Sequence, residues 1–183
     1  MNKEITPIST GLILTLILFS HIDIAYAADP TITTEVSATA TPQAIAKSNQ
    51  PNKSKSSNPE LNAQLLIAAK NGKLQEVRSL ISQATDVNVR DQYGWTPLLW
   101  ASMNGHTEIV RLLLVSGANP NTRNKYAWTP LMWAAGQGYS EIVRSLLSFG
   151  ARINAQDRNG WTAMMWATDG KHTEVVAILS AKN

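Results

Sequence analysis

Apolar side chains recur in the second half of the chain at positions that share one helical face: Ile109, Val110, Leu113 and Leu114, and again Ile142, Val143, Leu146 and Leu147. Spacings of one, four and five residues fall on one side of a 3.6-residue turn, so each run predicts an amphipathic helix with a single buried stripe. A shorter apolar block precedes each run, Pro97 to Trp100 and Pro130 to Trp133. Thr96, Thr129 and Thr162 can accept a backbone N–H at the start of such a block. Pro97 and Pro130 follow at the first helical position, where a missing N–H costs nothing. Gly105 and Gly138 then supply the permissive backbone that ends the first helix and reverses the chain. The pattern predicts pairs of helices joined by tight turns.

The pairs have a countable period. WTPLLW (95–100) returns as WTPLMW (128–133) and WTAMMW (161–166), and Asp91, Asn124 and Asp157 begin successive copies 33 residues apart. The same interval places a degenerate first copy at Asn58, giving copies 58–90, 91–123, 124–156 and 157–183. One copy cannot bury its apolar face alone, but stacked copies can, in a solenoid where each stabilises its neighbours. The end copies read as polar caps. Glu76 replaces the first apolar residue of the second helix in copy one, Asn62-Ala63-Gln64 stands where other copies read Trp-Thr-Pro or Trp-Thr-Ala, and Ser180 replaces a leucine in copy four.

Copy two, DQYGWTPLLWASMNGHTEIVRLLLVSGANPNTR, has an Asp-x-x-Gly-x-Thr-Pro-Leu opening, Gly-His before its second helix, and Leu-Leu followed by Gly-Ala and Asn. With the 33-residue period, these residues resemble the ankyrin-repeat family. The resemblance spans residues 58–183 and implies an all-α repeat solenoid of about four helix–turn–helix units with β-hairpin loops. Three departures bear on stability. Ala127 stands where Gly94 and Gly160 occupy the turn, Ala163 replaces the helix-starting proline, and Gly170-Lys171 reverses the usual order at a helix end. The last copy is therefore expected to be the least stable.

All six tryptophans lie in the repeated hexapeptides. The resemblance implies different roles for the two rings of each pair. Trp95, Trp128 and Trp161 occupy the family position at the base of the hairpin, on the concave face that grips partners; Trp100, Trp133 and Trp166 fall at a framework position inside the first helix. A column of exposed rings suits an interface, where Trp, Tyr and Arg are enriched. The alternative reading has the same rings lying on neighbouring hairpins and serving stacking alone. Tyr93 and Tyr126 share the fingers, and the remaining family contact positions add Gln92, Met103, Asn104, Arg123, Lys125, Gln137, Arg158 and Asp169. The expected partner-binding set is therefore Tyr93, Trp95, Met103, Asn104, Arg123, Lys125, Tyr126, Trp128, Gln137, Arg158 and Trp161.

Two segments precede the array. A start containing Lys3 leads into an uncharged apolar run from Gly11 to Phe19 and then to Ala25-Tyr26-Ala27, a small-x-small cleavage pattern. Residues 1–27 read as a secretory signal peptide cleaved after Ala27. The run is shorter than the about 20 apolar residues that span a bilayer, so no membrane span is expected after cleavage. Residues 28–57, rich in Ser, Thr, Pro, Asn and Lys and lacking periodicity, read as a disordered linker. The expected location is the periplasm, or outside the cell.

Composition narrows the chemistry. The chain has no cysteine, which removes disulfides, thiol catalysis and a lipid-bearing cysteine. His106 and His172 lie two repeats apart, at the family's Gly-His position, where histidine is structural. Asp91 and Asp157 recur as turn formers, as do Asn88, Asn121 and Asn154, and Glu108 with Arg111 and Glu141 with Arg144 are i,i+3 pairs on the second helices. No catalytic residues, metal site or cofactor is expected. From Pro59 onward 12 basic and 9 acidic residues are spread over all copies without a basic stripe, so no nucleic-acid partner is expected. The reading is a monomeric, non-catalytic module of the bacterial envelope that binds a protein. Two alternatives stand beside it: a lectin-like binder stacking envelope polysaccharide on the first tryptophan of each pair, and an exported effector acting in a host cell.

Overall fold

The computed structural model describes residues 58–182. The signal peptide expected at 1–27 and the linker expected at 28–57 lie outside the described residues. Among the described residues eight helices follow in pairs: α1 Pro59–Lys70 and α2 Leu74–Ser82, α3 Pro97–Met103 and α4 Thr107–Val115, α5 Pro130–Gly136 and α6 Ser140–Ser148, α7 Ala163–Asp169 and α8 Thr173–Ser180. The first member of each pair is called the inner helix, the second the outer helix.

The inner helices begin where their caps are. Thr96, Thr129 and Thr162 accept N–H bonds from Leu99, Met132 and Met165 at 3.2, 3.3 and 3.4 Å. In the first repeat Asn58 accepts from the Glu60 N–H at 3.0 Å. A side chain at this position satisfies one of the N–H groups that a helix start leaves unpaired. The outer helices start without side-chain caps, at Lys73, His106, Tyr139 and His172. Two of these termini, at His106 and His172, are held from the preceding repeat instead. His106 Nε2 lies 3.0 Å from the Lys70 carbonyl and His172 Nε2 lies 3.0 Å from the Gly136 carbonyl. The rings rest on the glycines ahead of them: a Cβ at Gly72 would come within 2.7 Å of His106, and one at Gly138 within 2.5 Å of His172.

The core runs along the array. All seven residues of α3 are buried, and Ile109, Val110, Leu113, Ile142, Val143 and Leu146 are each no more than 2% exposed. Ala68, Ala101, Ala134 and Ala167, one per repeat in the same register, are at most 1% exposed; their small side chains let each inner helix lie close to its neighbours.

Repeats are tied to one another by polar groups as well. Asn88 donates to the Gly117 carbonyl at 3.1 Å and accepts from the Asn119 N–H at 2.8 Å, and Asn121 does the same with Gly150 and Arg152 at 3.0 and 2.8 Å. These asparagines, expected as turn formers, bridge consecutive repeats. Ion pairing differs from the sequence spacing in the same way. Arg111 meets Glu141 at 2.7 Å and Arg144 meets Glu174 at 3.4 Å, so both arginines pair with the next outer helix rather than within their own. All four side chains are more than half exposed, which keeps such pairs within about 0–1 kcal/mol.

Among the described residues, three other than glycine adopt left-handed backbone: Ala84 (φ 60°), Ala127 (φ 64°) and Lys171 (φ 58°). Each shares its register with glycines of the other repeats, among them Gly117, Gly94 and Gly138. The fold keeps the turn and accepts the cost, about 1–2 kcal/mol per residue.

Candidate partner-binding face

The loops that enter the inner helices are built on one side chain each. Asp91 Oδ1 accepts the N–H groups of Tyr93 and Trp95 at 2.8 and 2.9 Å, Asn124 Oδ1 those of Tyr126 and Trp128 at 2.9 and 3.1 Å, and Asp157 Oδ1 those of Asn159 and Trp161 at 2.8 and 3.0 Å. The Asp91 N–H donates to the Trp95 carbonyl at 3.0 Å and closes the finger. The fingers are tight turns, and no strand is assigned among the described residues. Asparagine at 124 keeps both bonds that aspartate makes at 91 and 157, because a single acceptor oxygen makes them.

Adjacent fingers are linked through their backbones. The Lys125 N–H donates to the Tyr93 carbonyl at 2.9 Å, and the Arg158 N–H to the Tyr126 carbonyl at 3.3 Å. Lys125 Nζ stands 3.9 Å from the centroid of the Tyr93 ring and 5.1 Å from that of Tyr126. An ammonium so placed is attracted to both ring faces and holds the two half-buried tyrosines in register.

The tryptophans do not form the exposed column expected of them. Trp95 is 2% exposed and Trp128 6%, while Trp161 is half-buried. Trp95 stacks on Trp100 with centroids 4.2 Å apart and planes 18° apart, and meets Trp133 at 5.5 Å. Trp128 lies 4.3 Å from Trp133 and 4.5 Å from Trp166, and Trp161 lies 4.7 Å from Trp166. The six rings make a continuous zigzag from Trp100, which carries the Lys70 ammonium 4.7 Å from its centroid, to Trp161. The physical reason is geometric: the inner-helix ring of the following repeat covers the finger ring of the preceding one. The stacking alternative describes Trp95 and Trp128.

The other expected contact residues divide. Met103 is 7% exposed and belongs to the core. Asn104, half-buried, donates to the Lys70 carbonyl at 2.9 Å. Arg123 is exposed, but its guanidinium donates to the Ala127 carbonyl at 3.2 Å and to the Gln156 carbonyl, bolting one repeat to the next. Arg90 does the same one repeat earlier, donating to the Arg123 carbonyl and to Thr122 Oγ1, both at 2.8 Å. Recurrence of arginine at 90 and 123 was the signal for this bolt. Lys125 and Arg158 are exposed, as is Gln92, and Tyr93, Tyr126, Gln137 and Asp169 are half-buried. The accessible part of the expected face is therefore Tyr93, Lys125, Tyr126 and Arg158 at the finger tips, with the half-buried Gln137 at the end of α5. The Tyr–Lys–Tyr sandwich was not apparent in the sequence, since its members come from two repeats.

Among the described residues no group of three or more His, Cys, Asp and Glu side chains could hold a metal ion. Among the same residues, no helix is long and apolar enough to cross a membrane.

Comparison with known proteins agrees with the period and the helix pairs. The family described as ankyrin repeats (3 copies) matches residues 38–124, 65–157 and 114–183, the first match beginning ahead of Asn58. No curated protein matches the chain. Over most of its length, the chain belongs to the ankyrin-repeat family.

Proposed function

We propose that the protein is a non-catalytic binding module of the bacterial envelope that captures a protein partner on its finger and inner-helix face. Ankyrin repeats are in general protein-interaction modules, which supports the class. The observation that carries the choice of face is the Tyr93–Lys125–Tyr126 sandwich, fixed by the Lys125 to Tyr93 backbone bond. Two tyrosines held in place by a lysine before binding lose little freedom on docking, and tyrosine is enriched among the residues that dominate interface energetics. The envelope assignment rests on the signal-like residues 1–27.

Sugar stacking on the first tryptophan of each pair has little support, since the rings of Trp95 and Trp128 are buried among other indoles.

The test is crosslinking capture from the envelope fraction with the wild type and a Tyr93→Ala, Lys125→Ala, Tyr126→Ala variant, both folded by circular dichroism. A partner recovered with the wild type and lost with the variant is the expected result. Equal recovery moves the interface away from the finger tips. Fractionation with N-terminal sequencing tests the location, and an intact Met1 on the exported protein overturns the cleavage.

A further inference from the structure

We propose that the protein associates head to tail with a second copy of itself, the α7–α8 face of one copy packing on the α1–α2 face of the next. The inter-repeat interface then continues across the contact. Residues one period apart are compared, because a position buried in every repeat but one marks a face that the described residues leave uncovered.

The face of α7 and α8 turned away from α5 retains the connectors that earlier repeats use. Leu99 and Met132 are completely buried, whereas Met165 in the same register is 49% exposed. Trp95 and Trp128 each meet an inner-helix ring of the following repeat, Trp133 and Trp166. Trp161 in the same register meets Trp166 of its own repeat and is half-buried. Asn88 and Asn121 bridge to the following repeat, while Asn154, one period on, is exposed. The polar residues of this repeat's cap are the exposed Ser180 and the exposed Thr168, which holds the register of the buried Ala69, Ser102 and Ala135.

The face of α1 and α2 turned away from α3 offers the matching half. Ile67 occupies the register of Trp100, Trp133 and Trp166; those rings are at most 4% exposed, and Ile67 is 48% exposed. On the second copy it covers Trp161 as Trp133 covers Trp95. Asn71 and Lys73 stand in the registers of Asn104 and His106, whose side chains bond the Lys70 carbonyl of the preceding repeat. The Ala84 carbonyl is the counterpart of Gly117, the acceptor for Asn88. Two groups oppose the contact, the Thr168 hydroxyl on α7 and the Glu76 carboxylate on α2. Glu76, exposed on α2, holds the register of the buried Ile109, Ile142 and Val175, and its carboxylate must give up water when the faces meet. The association is accordingly weak and reversible, and being heterologous it extends into rows rather than closing as a pair.

Sedimentation velocity at increasing concentration of the purified protein tests this. The wild type is expected to show a rising weight-average sedimentation coefficient. Met165→Glu and Ile67→Glu, both at exposed positions and checked for folding by circular dichroism, are each expected to stay monomeric. Mixing the two is expected to give a dimer and nothing longer, since each variant keeps one intact face. Glu76→Leu is expected to tighten the association about tenfold by restoring the apolar register. A wild type that stays monomeric at every concentration overturns the proposal. So does an Ile67→Glu variant that still self-associates, which would mean symmetric pairing of the α7–α8 faces. A Glu76→Leu variant with unchanged association removes α2 from the contact and overturns the register.

Discussion

The indole of Trp95 stacks on that of Trp100 with 4.2 Å between centroids, five residues apart in sequence and on opposite sides of a helix start. The same pairing in the next two repeats, and the contacts between repeats, turn six side chains into one element that crosses three helix pairs. Rings with partners on both sides cannot be removed without opening a cavity that no neighbour can fill.

Trp128→Ala should therefore cost about 3–5 kcal/mol in urea unfolding, the usual loss for a large buried aromatic. Trp161→Ala, at the half-buried end of the zigzag, should cost clearly less. Equal losses at the two positions would contradict a ladder whose interior members are held from both sides.

Asn121 and Asn154 share a register and differ in what they touch. Asn121→Ala removes two bonds to the next repeat and is expected to lower stability by about 1–2 kcal/mol. Asn154→Ala, at an exposed position, is expected to stay within about 0.5 kcal/mol of the wild type. Thermal melts of the two variants make the comparison.

Ser102 is completely buried with its Oγ unbonded, whereas Ala69 and Ala135 occupy the same register in the flanking repeats. Ser102→Ala removes a desolvated hydroxyl and fits a space that alanine already fills twice. A gain of about 1 kcal/mol in denaturant unfolding is expected, and a loss would mean that the hydroxyl is bonded in solution.

Ala84 and Ala127 hold left-handed backbone that glycine holds elsewhere in the array. Relief of the Cβ clash exceeds the added entropy of the unfolded chain, so Ala84→Gly and Ala127→Gly should each stabilise by about 0.5–1 kcal/mol. Calorimetry of the single variants checks the sign.

Hydrogen exchange should find α7 and α8 the least protected part of the array. The repeat is packed from one side, lacks a proline at its first inner-helix position, and places Lys171 at φ 58°. Highest protection over residues 161–180 would refute this.

Helix pairs, caps, turn glycines and the period were all legible in the sequence, because each depends on residues within a few positions of one another. Thr96 caps α3 through the residue three places on, and the Asp91 loop bonds reach no further than Trp95. The face lying under each outer helix follows from the same local rule, with Ile109, Val110, Leu113 and Leu114 buried as their spacing requires.

The candidate site was legible only in part. Tyr93, Lys125, Tyr126 and Arg158 remain accessible, yet Trp95, Trp128 and Met103 do not, and Arg123 is occupied within the fold. Residue type and register are properties of one repeat. Exposure is a property of two, since it depends on what the following repeat lays over the surface. The sequence by itself determined that the chain would form repeating helix pairs and where each would begin and end, because local bonds and spacing decide that. Only the tertiary structure decided that the first tryptophan of a pair is covered by the ring of the next repeat, that the arginines and asparagines cross between repeats, and that a lysine is held between two tyrosines. Those outcomes depend on the distance and angle at which one repeat packs on another, which no single repeat encodes.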